Sequence, residues 1–321
     1  MDYRRLGRTG LKVSSICLGT MQFGWTADES TSHAIMSRAV ELGCNFIDTA
    51  DIYSRWAEGN PGGVSEEIIG DWLRLGGVPR DQVVLATKVR GPMGNGPNDV
   101  GLSRGHIMNA VDASLRRLKT DYIDLYQTHF FDAETPIEET LRAMDDLVRS
   151  GKVRYIGCSN YPAWRLTKSL WSADVNNLVR YESLQPHYSL VKRAEFEREL
   201  MPLCKDQQIG VIPYSPLGGG FLTGKYRRDT QLPDSARAQR IKDQYMNEQG
   251  FAAVDKLEEI GRNHDATIAQ TAIAWLLANP VVSSAIIGAN SISQLEDTVK
   301  GADIALSADE KSALDATTAW S

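Results

Sequence analysis

Cysteine is scarce. The four residues Cys17, Cys44, Cys158 and Cys204 lie far apart, with no Cys-x-x-Cys pair and no adjacent histidine. That spacing suggests neither a zinc site nor a disulfide framework, and no metal is expected. No apolar run approaches the roughly eighteen residues that suggest a membrane-crossing helix, and Met1 to Gly7 carry no apolar signal core. A cytoplasmic location without a membrane partner is therefore expected. Long Lys/Arg runs are missing as well, and 35 basic against 41 acidic residues leave a net charge of −6. Nucleic acid is not an expected partner on that balance, whereas a small molecule is.

What is present is an ordinary globular mixture, 42% hydrophobic and 24% charged, with ample material for a core. At 321 residues the chain is long enough for two domains, or for one (β/α)₈ barrel of about 250 residues with insertions. Residues 3–6 and 11–13, joined by Gly7-Arg8-Thr9-Gly10, read as a hairpin that would plug the far end of a barrel. Short apolar strands follow at 15–19, 45–48, 83–87, 122–126, 153–158, 181–185, 210–214 and 284–287. Between and after them, helical periodicity runs at about 34–42, 65–75, 104–118, 137–150, 163–171, 194–207, 250–263, 267–278 and 293–300. Strands alternating with helices argue for a parallel sheet, and about eight units without a dividing linker argue for closure. The expected fold is thus α/β, a single (β/α)₈ TIM barrel spanning 1–321 with an N-terminal β-hairpin. Long loops at 54–64, 91–103 and 217–249 all follow strands, which places them on the catalytic face.

Polar groups gather at the same ends. Asn45-Phe46-Ile47-Asp48 ends a strand and leads to Tyr53. The next strand ends in Lys88, and the one after runs into His129. If these strands are parallel neighbours, Asp48, Tyr53, Lys88 and His129 converge. An isolated tyrosine with a pKa near ~10 is a poor proton donor at neutral pH unless a cation favours its phenolate, and Lys88 is the obvious cation. Other motifs lead nowhere. Gly219 to Lys225 fits a P-loop, but Tyr226 stands where Ser or Thr would hold magnesium. A third glycine is missing for the dinucleotide fingerprint, and Gly157-Cys158-Ser159-Asn160-Tyr161 lacks the closing glycine of a nucleophile elbow.

The four converging residues resemble the catalytic tetrad of the aldo-keto reductases, and the resemblance extends over nearly the whole chain. Gly43 to Ala50 with Tyr53, Leu85-Ala86-Thr87-Lys88 and Asp121 to His129 are similar to that family's Asp/Tyr, Lys and His motifs. Tyr214 to Tyr226 resembles the version in bacterial members and in the potassium-channel β-subunits. The resemblance implies reversible NAD(P)H-linked reduction of an aldehyde or ketone. Tyr53 would be the proton donor, Lys88 and Asp48 would tune it, and His129 would orient the substrate.

For the cofactor, the resemblance implies Gly19, Thr20, Met21 and Asp48 among the binding residues, with Ser159, Asn160 and Gln185 as a nicotinamide-carboxamide clamp. Tyr214 would stack on the ring. Ser215, Pro216, Leu217, Gly218 and Gly219 would line the pyrophosphate, and Lys225 would neutralise its charge. Around the adenosine it implies Gly288, Asn290, Ser291, Gln294, Asp297 and Thr298, with Arg237 as a substitute cation. Related chains often carry Pro at 287, a basic residue at 290 and Asn at 298, where this chain has Ile, Asn and Thr. NADPH (NADP+) is therefore expected to be preferred only modestly, with NADH also used. Trp25, Trp56, Phe130 and Phe131, beside Tyr53 and His129, are candidates for a substrate pocket. Two other readings remain: a redox-sensing regulatory subunit like the channel β-subunits, and a Schiff-base aldolase using Lys88.

Overall fold

The structure is a computed structural model that describes residues 1–228, 230–233 and 238–320. Among them are ten strands: β1 (Tyr3–Arg5), β2 (Lys12–Ser14), β3 (Ile16–Gly19), β4 (Phe46–Asp48), β5 (Val84–Val89), β6 (Ile123–Thr128), β7 (Val153–Ser159), β8 (Ser183–Gln185), β9 (Gly210–Val211) and β10 (Ala285–Ile287). The helices are α1 (Glu29–Glu41), α2 (Val64–Arg74), α3 (Arg104–Leu118), α4 (Ile137–Arg149), α5 (Ala163–Asn176), α6 (Met201–Asp206), α7 (Ala238–Tyr245), α8 (Glu248–Asn263), α9 (Ile268–Leu277), α10 (Ile292–Val299) and α11 (Ala308–Thr317).

Strands β3 to β10 form one parallel sheet in the order β10-β3-β4-β5-β6-β7-β8-β9. Its ends meet: Val211 and Val282 form a parallel bridge, and Ile286 N–H donates to Pro213 O at 2.9 Å. The result is a (β/α)₈ barrel, as the alternation of apolar segments predicts.

Side-chain alternation then decides what lies inside. In a strand, residues i, i+2 and i+4 share a face. Cys17, Phe46, Val84, Ala86, Leu125, Ile212 and Ile286 make one buried cluster within the ring of strands, and Leu6 and Val13 of the β1–β2 hairpin join it. The hairpin therefore closes the end at which the strands begin. Gly7 makes this fit possible: its φ is +57°, and an added Cβ would meet Gly210 N at 2.6 Å. The other strand face, with Ile47, Leu85, Tyr126 and Ile156, packs against the helices in a second and larger cluster.

One inward step above the layer within the ring, two residues along each strand, the side chains turn polar. Register pairs Gly19 with Asp48, Asp48 with Ala86, Lys88 with Gln127 and Ser159 with Gln185. The parity that buries Phe46, Val84 and Leu125 thus carries Asp48, Lys88 and Gln127 to the mouth of the same interior.

Some elements were not anticipated. Helix α7 lies within the 217–249 loop, α11 follows α10, and the helix expected at 194–207 is a π-helical turn, Phe196–Leu200, leading into α6. The glycine-rich Gly218–Thr223 forms a 3₁₀ turn.

Candidate active site

Lys88 is fully buried and Asp48 almost so, an arrangement that costs desolvation unless both charges are satisfied. They are. Lys88 Nζ donates to Asp48 Oδ2 at 2.6 Å, to Thr49 O at 2.9 Å and to the Tyr53 hydroxyl at 2.9 Å. The other carboxylate oxygen, Oδ1, accepts from Gln127 Nε2 at 3.1 Å and from Gln185 Nε2 at 2.9 Å. Thr20 fixes the strand tip itself, both its N–H and its hydroxyl donating to Asp48 O at 3.0 Å.

Electrostatics follow from that packing. Burial alone would lower the Lys88 pKa, but the charges of Asp48 and Tyr53 outweigh it and hold the ammonium above the usual lysine value. Tyr53 is pushed up to about 12, because burial outweighs the pull of Lys88 even though the residue is only partly shielded from solvent. Lys88 pulls in the expected direction, towards phenolate, but the net shift is upward, and the Tyr53 hydroxyl is protonated at neutral pH. His129 is pushed down to about 3 by burial and then by Lys88 and Arg90, so its imidazole is neutral.

Rings surround this hydroxyl. Tyr53 lies 6.0 Å from the His129 ring and 6.2 Å from Trp56, Trp56 meets Trp25 edge-on at 5.8 Å, and Phe130 stacks on His129 at 5.1 Å. Trp56 and Phe130 remain about half exposed, which leaves an apolar rim. Phe131 turns elsewhere, towards Tyr161 at 6.2 Å.

On the neighbouring strand ends, Ser159, Asn160 and Tyr214 are joined. Asn160, at φ +57°, donates to Ser159 Oγ at 2.9 Å and to His129 O at 3.0 Å, and accepts from the Tyr214 hydroxyl at 2.9 Å. The His187 imidazole stacks on Tyr214 at 5.0 Å. Beyond lies a turn in which Ser215, Gly218, Gly219 and Gly220 all have positive φ, with Leu217 and Pro216 between them. Lys225 overhangs it, since a Cβ built on Gly220 would lie 3.4 Å from its Nζ. Backbone N–H groups in turns of this handedness, beside a cation, suit an anion.

The remaining residues fall into two groups. Met21 and Gly288 border the β3 and β10 ends, with Gln22 bridging from the β3 loop to Ala289 O at 3.0 Å. Ser291 caps α10 and accepts from Gln294 N, while Asn290 Oδ1 accepts from the Thr26 hydroxyl at 2.7 Å. Asp297 and Thr298 are engaged in packing: Asp297 accepts from Gln270 Nε2 at 2.7 Å, and the Thr298 hydroxyl donates to Gln294 O. Arg237 lies outside the described residues. No group of three or more His, Cys, Asp or Glu among the described residues could hold a metal ion, and no helix among them is long and apolar enough to cross a membrane.

Gln127, Arg90 and His187 are the site residues that sequence reasoning missed. Gln127 had a signal: a glutamine sharing Lys88's register on an inward-facing position.

The chain matches the model of the aldo/keto reductase family over residues 15–319. It is 43% identical to the uncharacterized oxidoreductase YrpG of Bacillus subtilis, over 95% of this chain and 92% of that one. It is 38% identical to a probable voltage-gated potassium channel subunit beta of Arabidopsis thaliana, with the same coverage. Versiconal hemiacetal acetate reductase of Aspergillus parasiticus is 36% identical, over 97% and 95%.

Proposed function

The chain belongs to the aldo/keto reductase family of NAD(P)H-dependent oxidoreductases, and from that premise we propose that it reversibly reduces an aldehyde or ketone to an alcohol. The observation that carries this reading is the buried Asp48–Lys88 pair hydrogen-bonded onward to Tyr53, a protonated hydroxyl beside a neutral imidazole.

The residues present fit the cofactor. Tyr214 offers a ring for stacking, and Ser159 and Asn160 offer polar groups for a carboxamide. The glycine turn beneath Lys225 suits a pyrophosphate, and Ser291 and Gln294 suit a ribose phosphate. Gln185 is already held by Asp48, so its part is to steady the carboxylate as much as to touch the cofactor.

When bound, NAD(P)H supplies the hydride for the carbonyl carbon. Tyr53 gives its proton to the carbonyl oxygen, as a positioned general acid. Lys88 then faces the phenolate that results and stabilises it, and Asp48 holds Lys88 in place. Neutral His129 orients the carbonyl by hydrogen bonding. Trp25, Trp56 and Phe130 contact an apolar substrate body and exclude water. NADPH is preferred modestly and NADH is also accepted, since Asn290 offers a dipole where a cation would bind the extra phosphate more strongly. The enzyme works in the cytoplasm on this reading.

A Schiff-base role for Lys88 finds no support, because such a lysine needs a depressed pKa and this one is raised. The similarity to a channel subunit keeps a second reading in view, a redox sensor with little turnover. NAD(P)H consumption followed at 340 nm with a panel of aldehydes and ketones tests both. Steady turnover is expected. A single equivalent consumed per chain, with no further reaction, would favour the sensor.

A further inference from the structure

Next to Tyr214 lies a cavity of about 760 Å³, within the range that holds a drug-sized molecule. Its walls come from the loops after β6, β7 and β8, from the π-helical turn and from α7. Leu184, Tyr161 and Phe196 are buried side chains in its apolar lining. Asp48, Tyr53, Lys88 and His129 lie outside the lining, whereas Asn160 and Tyr214 form the wall it shares with the cofactor residues. A molecule confined there cannot take a proton from Tyr53, so it is not the carbonyl substrate.

Three features make this more than a gap in packing. The π turn Phe196–Leu200 supplies one wall, and such turns are frequent at functional sites. Polar groups converge on it: His187, Gln244 and Tyr245 line the cavity, and the Tyr245 hydroxyl lies 3.4 Å from His187 Nε2. Lys192 pairs with Glu195, Glu199 lines the cavity and Arg240 lies close enough to His187 to act on its charge, so the two acidic and two basic groups on and beside the lining sum to no net charge that would select an ion. Finally, the cavity is connected to the cofactor residues. His187 stacks on Tyr214, backbone pairing joins the two, and the Tyr214 hydroxyl holds Asn160.

We propose that this cavity is a second ligand site, for an uncharged molecule with an aromatic or alicyclic body and one hydrogen-bonding group, and that its occupancy tightens cofactor binding through His187 and Tyr214. A ligand against His187 restricts the imidazole, and a fixed imidazole fixes the ring that stacks on nicotinamide. Ordering done by the first ligand is not required of the second, which is positive coupling. Linkage makes the effect reciprocal. The coupling half rests on the function proposed above; the binding half does not.

The test uses the full chain and the neutral fluorescent probe N-phenyl-1-naphthylamine. Saturable binding of one probe per chain is expected, with NADPH affinity raised about fivefold or more by saturating probe. Ala163→Trp and Leu200→Trp, which fill the cavity from two different elements, should each abolish probe binding while circular dichroism and NADPH affinity stay as in wild type. His187→Ala should keep the probe and lose its effect on NADPH. Absence of saturable binding, or binding that survives both tryptophan variants, overturns the site. Probe binding that competes with NADPH or with a carbonyl substrate shows instead that the cavity belongs to the reaction site. Coupling that survives His187→Ala overturns the route. If the chain binds the probe but no NAD(P)H at all, the proposed function has failed and the ligand site stands.

Discussion

Lys88 donates to the hydroxyl of Tyr53 at 2.9 Å, yet Tyr53 is held at about 12, above the ordinary tyrosine value. On the proposed mechanism the cation would stabilise the phenolate that Tyr53 becomes, since Tyr53 itself is held protonated beforehand. The proposed reduction needs Tyr53 protonated and His129 neutral, conditions met above about 3 and below about 12. Carbonyl reduction at saturating cofactor should thus be flat between pH 6 and 9. Tyr53→Phe should keep cofactor affinity and lose kcat by ~10²-fold or more. A rate that falls through pH 7 in wild type would assign the proton to another group.

Lys88→Met should be equally inactive, and it should also lose stability. It leaves Asp48 buried without its counter-ion, a change that typically costs about 3–5 kcal/mol. Asp48→Asn combined with Lys88→Met should recover part of that loss, because no uncompensated charge remains. Urea unfolding of the two single variants and the double variant measures the coupling. Strictly additive losses would mean that the two charges do not depend on one another.

Tyr214→Ala should weaken cofactor binding more than it slows the chemical step, since a stacked ring exchanges no proton. For cofactor choice, Asn290→Arg should raise the preference for NADPH over NADH, read as the ratio of kcat/KM values. In wild type that ratio should stay below about 10³, equivalent to ~4 kcal/mol. A larger one would require a strong phosphate ligand that neither Asn290 nor Ser291 provides.

Asp51 is fully buried, and neither of its carboxylate oxygens has a hydrogen-bond partner among the described residues. Burial, with Glu66 nearby, holds its pKa well above the usual carboxylate range. The folded state therefore keeps a proton that the unfolded state releases, and stability is fully present below pH ~4 and lost as pH rises towards the folded value. Asp51→Asn stays neutral and removes that slope. The melting-temperature difference, variant minus wild type, should grow between pH 5 and 8. A constant difference would show that Asp51 is ionised in the folded protein.

The strands and their ends were legible because each is a compact apolar run followed abruptly by polar residues, and parity then fixed which residues faced inward. Asp48, Lys88 and the neighbouring His129 were readable for that reason. The sense of the Tyr53 shift was not, because burial depends on what packs around the ring and the sequence names only the cation. Helix α7 was hidden by its polarity, with Ala238, Ile241 and Tyr245 its buried residues, and α11 by having Leu314 as its one buried residue among those described. The π turn has the same apolar residues an α-helix would have. Phe131 carries no sign in sequence that it leaves the aromatic rim for Tyr161.

The seam of the barrel sets an order of events during synthesis. β3 is among the first segments made, but one of its neighbours is β10, some 270 residues later, through Ala285 N–H to Ser15 O at 2.9 Å. Until residues near 287 leave the ribosome, β3 is an open edge offering unpaired backbone to any passing strand. Arg4, which donates to both Leu277 O and Val282 O, joins the hairpin to this late segment. A chain stopped before β10 should consequently aggregate instead of persisting as a partial barrel, and the last strand is the one a cell must wait for.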